Sequence, residues 1–452
     1  MSEEAQTHPQ NESHYVNHLR KASGKHEIKA HEDVYSETGL KLISKNVTIS
    51  DELYDKLMQH KLLKPLDLSI SVGGSLTPDT LQHDFDDLFH SDPLMKGVLE
   101  FSREEKKLTA ILKNIKFPDS IAGKLTVMRT SDPDLYRHSL STALLAAYAG
   151  IACRMDDKQC IILATAGLLH DIGMLHIDPE IPSKTTRLDL ALINQISAHP
   201  IIAFMILQNF PEFKPFVTAA VVEHHERVDA TGYPHQLPVE KQSPYGKIMA
   251  IIEVISSIYS KTGSLRLALT VIRTRMEHYD PDYLADIVYA LIPLQDQEVV
   301  QDAYTMQVNI KRKLVILHEA MKAWQQPFLM VNDQDAIKSP ASLVTMRLEK
   351  IKISMIRCGL TNPIMEKDMV TELNIGNMLE NDFDNDPVYL SEMSMLVDDH
   401  IYQLVEMIRE VLIRWPLLDK DVKIEKDTPL ISWIVFVDSM IGKLPGNLIN
   451  RR

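Results

Sequence analysis

Along the chain, hydrophobic and polar positions change period several times. Up to about residue 30 the sequence is polar and rich in His, Asn and Lys, shows neither period, and is expected to lack order. Residues 31–105 read as a small module of mixed structure. Tyr35 to Ile49 gives short extended runs broken at Gly39 and Asn46, Ser50 and Asp51 cap a helix predicted through Leu63, and Leu66 to Val72 alternates as a strand does. From Lys106 to Leu294 apolar stretches of helical period succeed one another between Pro, Gly and Asp clusters. Asp132-Pro133 places a capping side chain before a proline at the first helical position, opening a helix that runs past His138 to about Cys153. Asp156 or Asp157 opens the next, which ends near His170 and Gly173. Further helices are predicted at Leu188 to Asn209, Lys214 to Glu226 and Tyr245 to Lys261. Residues 295–452 form a helical C-terminal region, with helices at Val299 to Trp324 and Leu390 to Trp415 and an acidic linker at Leu379 to Asp386. The expected fold class is mainly α, with no internal repeat. Its apolar stripes serve as internal core, and the C-terminal helices either pack on the central domain or form a homodimer.

Composition narrows this picture. The 452 residues are 45% hydrophobic and 24% charged, which excludes a structureless or fibrous polymer. A formal net charge of -14 argues against a surface built to follow a nucleic-acid backbone, so no DNA partner is expected. A small anionic ligand stays compatible, because local cations or metals reverse the field within one cleft. Cys153, Cys160 and Cys358 form no CxxC pair, so neither a disulfide framework nor a thiolate zinc site is indicated, and a reducing cytoplasm fits. The acidic start Met-Ser-Glu-Glu lacks the charge of a signal peptide. Apolar runs such as Ala143 to Cys153 fall short of the roughly 20 residues that span a bilayer, so a soluble chain without a membrane span is expected.

Candidate chemistry gathers in the central helices. His138, His170, Asp171, His199, His224, His225 and Glu253 are imidazole and carboxylate ligand types on predicted helices or their ends, a set suited to iron, manganese, zinc or nickel. A single histidine on an apolar helix is ordinarily a packed one; the ordered series is what indicates a metal site. On a continuous helix His224 and His225 point about 100° apart. They are therefore expected to serve two ions, or one ion and a substrate phosphate, rather than one ion together. The carboxylate of Asp171 is free to bridge. Such an arrangement suits two metals that share a hydroxide for attack on phosphorus.

The strings His170-Asp171-Ile172-Gly173 and His224-His225-Glu226, followed by Asp229-Ala230-Thr231-Gly232-Tyr233-Pro234, resemble the HD-GYP domain. This is a branch of the HD metal-dependent phosphohydrolases associated with cyclic di-GMP hydrolysis. The likeness covers about residues 120–290. It implies an all-α catalytic domain, placed here at 106–294, that binds two divalent ions, with iron or manganese favoured. By position it makes His138, His170, Asp171, His199, His224, His225 and Glu253 the metal ligands, with His170 and Asp171 central to catalysis. Asp134, one turn before His138, stands where some members bind a third ion, although the helix dipole alone also favours an acid there. Glu226 and Asp229 are candidates for orienting the ligand histidines. Tyr233 is a candidate substrate contact, and the Gly232-Tyr233-Pro234 loop a candidate surface for a signalling protein.

The sequence also departs from the family pattern. Met174 stands where the family carries a phosphate-binding lysine, and a thioether cannot neutralise phosphate. Lys184 is the basic residue placed to cover part of that loss. Glu253 replaces the usual Asp. Ala230 replaces a glycine and disfavours a positive φ. Lys261 to Arg266 replaces an Arg-Pro-Tyr-Arg-like stretch. The resemblance thus implies a bacterial cytoplasmic phosphodiesterase acting on a cyclic dinucleotide. A module that binds nucleotide or partner without turnover is the second reading.

Overall fold

The computed structural model describes residues 9–64, 66–101, 104–177, 195–294, 303–324, 339–357, 360, 387–414 and 429–442. These fall into two units, the first reaching residue 294 and the second starting at residue 303. Helix dominates both, as expected.

In the first unit, α1 (Pro9–Ser23) precedes β1 (Ile28–Ala30), β2 (Val34–Tyr35), β3 (Lys41–Ile43), α2 (Asp51–Met58) and β4 (Ile70–Val72). Strand β1 pairs antiparallel with β4, Lys29 opposite Ser71, and β2 pairs with β3. The N-terminal stretch expected to lack order is corrected from Pro9 onward. Tyr15, Val16, Leu19 and Ala22 recur at helical spacing and are buried, a signal diluted in the sequence by polar neighbours. Residues 31–105 are not a separate module either. Ile28, Val72, Phe85 and Leu94 belong to one apolar core with Leu125, Leu144 and Leu168. The expected strand over Leu66 to Val72 is shorter, because Ser69 N–H turns back to Leu66 O and only Ile70–Val72 finds a partner.

The core helices follow: α3 (Pro78–Ser91), α4 (Pro93–Phe101), α5 (Glu105–Lys113), α6 (Asp119–Ser131), α7 (Pro133–Ala152) and α8 (Asp157–Leu169). Asp132 accepts from Leu135 N–H at the start of α7. Asp156 and Gln159 form a reciprocal capping box at the start of α8, which stops the chain from continuing as one helix. Helices α7 and α8 pack along each other, with Gly150 and Gly167 at close approaches. A 3-10 turn, Ile172–His176, leaves the end of α8. Then come α9 (His199–Leu207), α10 (Phe216–Glu223), α11 (Pro244–Thr262), α12 (Leu265–Thr274) and α13 (Pro281–Leu291). Helix α11 packs against α7, α10 and α12, while α9 packs on the 3-10 turn and on α10. The stretch Asp157–His176 is long and apolar enough to cross a membrane, yet 67% of its apolar 18-residue window is buried in this core.

The second unit comprises α14 (Ala303–Ala323), α15 (Pro340–Arg357), α16 (Pro387–Arg414) and α17 (Pro429–Ile441). Its own core includes Ile310, Leu317, Leu343, Val397, Leu404 and Ile408. Trp433 Nε1–H donates to Ala320 O, and its ring meets Trp324 edge-on at 5.2 Å. The acidic linker expected at Leu379 to Asp386 lies outside the described residues.

Candidate metal centre

Five helix ends or faces of the first unit deliver the expected ligands. Helix α7 brings His138, the end of α8 brings His170 and Asp171, the start of α9 brings His199, the end of α10 brings His224 and His225, and α11 brings Glu253. Gly173 makes this meeting sterically feasible: a Cβ there would lie 2.2 Å from His199 O, so only glycine lets the turn after Asp171 touch the start of α9.

The side chains converge as two groups, His138 with His170 and Asp171, and His199 with His224 and His225. Within each, the candidate ligand atoms lie within 4.8 Å of one another. Glu253 Oε2 joins the first group, 3.2 Å from His170 Nε2 and 3.4 Å from His138 Nε2. Asp171 links the two groups, its Oδ2 3.3 Å from His170 Nε2 and its Oδ1 3.1 Å from His199 Nε2.

One expectation needs correcting. His224 and His225, expected to point apart, bring their ring nitrogens into the same group of candidate ligand atoms. Helix α10 ends at Glu223, so the angle between successive helical residues no longer applies to this pair. Their ring centroids lie 4.2 Å apart.

The donor set fits divalent cations. Nδ1 of His170, His199 and His224 faces the carbonyl oxygens of Gly167, Ile196 and Val221 at 2.8, 2.6 and 2.5 Å. A carbonyl only accepts, so each Nδ1 carries a proton and each Nε2 is directed into the hollow, where the neutral ring presents a lone pair. His199 Nε2 and His224 Nε2 consequently meet at 3.0 Å with lone pairs opposed, a contact that a cation relieves. His170 Nε2 and Glu253 Oε2 are buried and, although 3.2 Å apart, make no well-aligned hydrogen bond among the described residues.

Electrostatics agree with this. Burial alone would raise Asp171, but His170 and His199 outweigh it and hold the carboxyl well below its ordinary range. Glu253 behaves likewise: burial raises it, and His138 and His170 bring it well below. Burial, then the neighbouring His170 and His199, push His224 down to about 3, and burial with His224 pushes His225 well below its ordinary value. Ionised carboxylates and neutral imidazoles are the forms that ligate metal. His170 is the exception. Burial lowers it, but Asp171 and Glu253 prevail and raise it, so its proton must leave when a cation binds.

Other expected residues stand elsewhere. Asp134 is exposed and outside both groups. Lys184 lies outside the described residues. Glu226, expected to orient a histidine, instead accepts from His235 N–H at 2.7 Å and Leu237 N–H at 2.9 Å, so its two oxygens fasten the loop after Pro234. Asp229 accepts from Thr231 and faces His278 Nδ1 at 3.0 Å, again fixing loop backbone. Tyr233 stacks on His225, centroids 4.5 Å apart, and its N–H donates to His225 O. Gly232 has no room for a side chain, since a Cβ would lie 2.4 Å from both His225 O and Arg227 N. Ala230 adopts φ 58° despite its Cβ, against the expectation for that position.

Three supporting residues escaped sequence reasoning. Buried Glu223 accepts from Ser243 N–H and Oγ–H at 2.7 Å, fixing the start of α11 beside the end of α10. Ser256 and Ser260 lie beside His138 Nδ1. Their signal was available: both follow Glu253 at helical spacing on one face.

Residues 126–283 match the family described as HD domain. A cyclic di-GMP phosphodiesterase of Pseudomonas aeruginosa is 26% identical over 182 residues, 39% of this chain and 44% of that protein. The 3'3'-cGAMP-specific phosphodiesterase 3 of Vibrio cholerae is 28% identical over 162 residues, 34% of this chain and 35% of that protein. A solved HDG"Y"P protein from Bdellovibrio bacteriovorus covers 58% of this chain and 95% of its own, with 14% identity and a TM-score of 0.34. The chain thus spans less than half the length of these curated relatives.

Proposed function

Because the chain carries an HD-GYP domain, we propose that it hydrolyses a phosphodiester bond of a cyclic dinucleotide, cyclic di-GMP before 3'3'-cGAMP, and so lowers a bacterial second messenger in the cytoplasm. The observation that carries this is Asp171, whose two oxygens reach the two histidine groups and would hold a pair of ions side by side. A pair of divalent cations, iron or manganese, supplies Lewis acidity and activated water at neutral pH. His138, His170 and Glu253 would hold one ion, His199, His224 and His225 the other, with Asp171 between them. Tyr233 keeps the ring of His225 from turning.

A binding module without turnover is the second reading, favoured by Met174, which offers no charge to a substrate phosphate. The test is purified protein loaded anaerobically with iron or manganese and incubated with each cyclic dinucleotide, with products resolved by chromatography. Linear dinucleotide or mononucleotide that disappears in His170→Ala and Asp171→Ala supports hydrolysis. Tight binding with no product in the metal-loaded wild type defeats it in favour of the module.

A further inference from the structure

His138 is anchored unlike its neighbours. The three imidazoles described above are fixed by main-chain carbonyls, whereas Nδ1 of His138 faces hydroxyls: Ser260 Oγ at 3.3 Å and Ser256 Oγ at 3.4 Å. Ser256 is fully buried, and its Oγ lies 2.7 Å from Thr142 Oγ1. Thr142 is one turn beyond His138 on α7, and Ser256 is three residues beyond Glu253 on α11, so both hydroxyls lie on the helix faces that carry ligands. A hydroxyl donates as readily as it accepts. The Ser256–Thr142 pair therefore accommodates two states of His138. In one, Nδ1–H donates to Ser256 and the Nε2 lone pair faces Glu253 and Asp171. In the other, Ser256 donates to Nδ1, and Nε2–H donates to Glu253 Oε2 at 3.4 Å.

We propose that Ser256, backed by Thr142, is the positioning residue that sets the tautomer of His138, making the ion position of His138, His170, Asp171 and Glu253 the adjustable one of the pair. The position of His199, His224 and His225 is preset, since carbonyls hold two of its rings in the ligating form. The inference rests on the two-ion reading of the site.

The test uses the full chain, stripped with a chelator and titrated with manganese(II) alone. Ion stoichiometry is read by elemental analysis, free manganese by its paramagnetic resonance signal, and folding by circular dichroism. Wild type should take up two ions. Ser256→Ala should retain one at unchanged affinity and bind the other about 10- to 100-fold more weakly. Thr142→Val should weaken the same ion, and Thr142→Ser, which keeps the hydroxyl, should restore it. Two ions bound by Ser256→Ala and Thr142→Val as in wild type would overturn the inference. So would equal weakening of both ions, or weakening that Thr142→Ser does not relieve, since a merely structural role predicts those. A wild type that binds fewer than two ions overturns the dinuclear reading itself, a result distinct from any of these.

Discussion

Ala230 holds a left-handed backbone, φ 58°, two residues before Gly232, where the backbone approaches closely. A Cβ in that region costs on the order of 1 kcal/mol relative to glycine. Ala230→Gly should therefore stabilise the first unit by about 1 kcal/mol, read as a higher melting temperature with unchanged metal content; a lower melting temperature would contradict the assignment. Gly232 sits at the opposite extreme, where Cβ at 2.4 Å from two backbone atoms leaves no relaxed alternative. Gly232→Ala should displace Tyr233 from His225 and weaken cation binding at the proposed His199, His224 and His225 position, measurable as ion stoichiometry after dialysis. Residue identity at these positions was legible from the string; the strain was not. Whether a loop demands positive φ depends on where its two ends are tied, here by Glu226, Asp229 and Gln242.

Among elements, α1 shows how a polar stretch becomes structure when a neighbouring surface covers its few apolar residues. Tyr15 stacks on His176 with centroids 4.8 Å apart, and buried Lys124 places its Nζ 4.2 Å from the Tyr15 ring centroid, so α1 grips the turn that leaves Asp171. His18, on the same helix, is buried against Ser131 Oγ at 2.8 Å, and burial, with Lys21 and His14, lowers it to about 4. The unfolded chain then binds the extra proton between pH about 6.5 and about 4 while the folded chain does not. His18 leaves stability intact above pH about 6.5 and reduces it as pH falls toward 4, by up to about 3 kcal/mol. Denaturant unfolding at pH 7 and pH 4.5 should show a smaller acid loss in His18→Gln than in wild type, and an equal loss would sink the argument. Helices α7, α8 and α11 were visible in the sequence because their caps and apolar periods agree. The end of α10 was placed too late, since His224 and His225 look like helix continuation until the chain is seen to turn.

For the whole molecule, two separate apolar cores predict two unfolding transitions in calorimetry. Cations bind the first unit in its folded form, so chelation should lower one transition and leave the other in place. Equal shifts of both would mean that the two units unfold as one.

The sequence by itself determined the helical class and the caps of the central helices, and it picked out the imidazoles and carboxylates that the fold brings together, because periodicity, capping and motif spacing are local properties. Only the tertiary structure decided that buried residues from Tyr15 to Val98 share the central core, that His224 and His225 fall in one group of candidate ligand atoms, that Glu226 ties a loop, and that hydroxyls stand behind His138. Each of these depends on which distant segments touch. That is set by packing over the whole chain, and no local pattern encodes it.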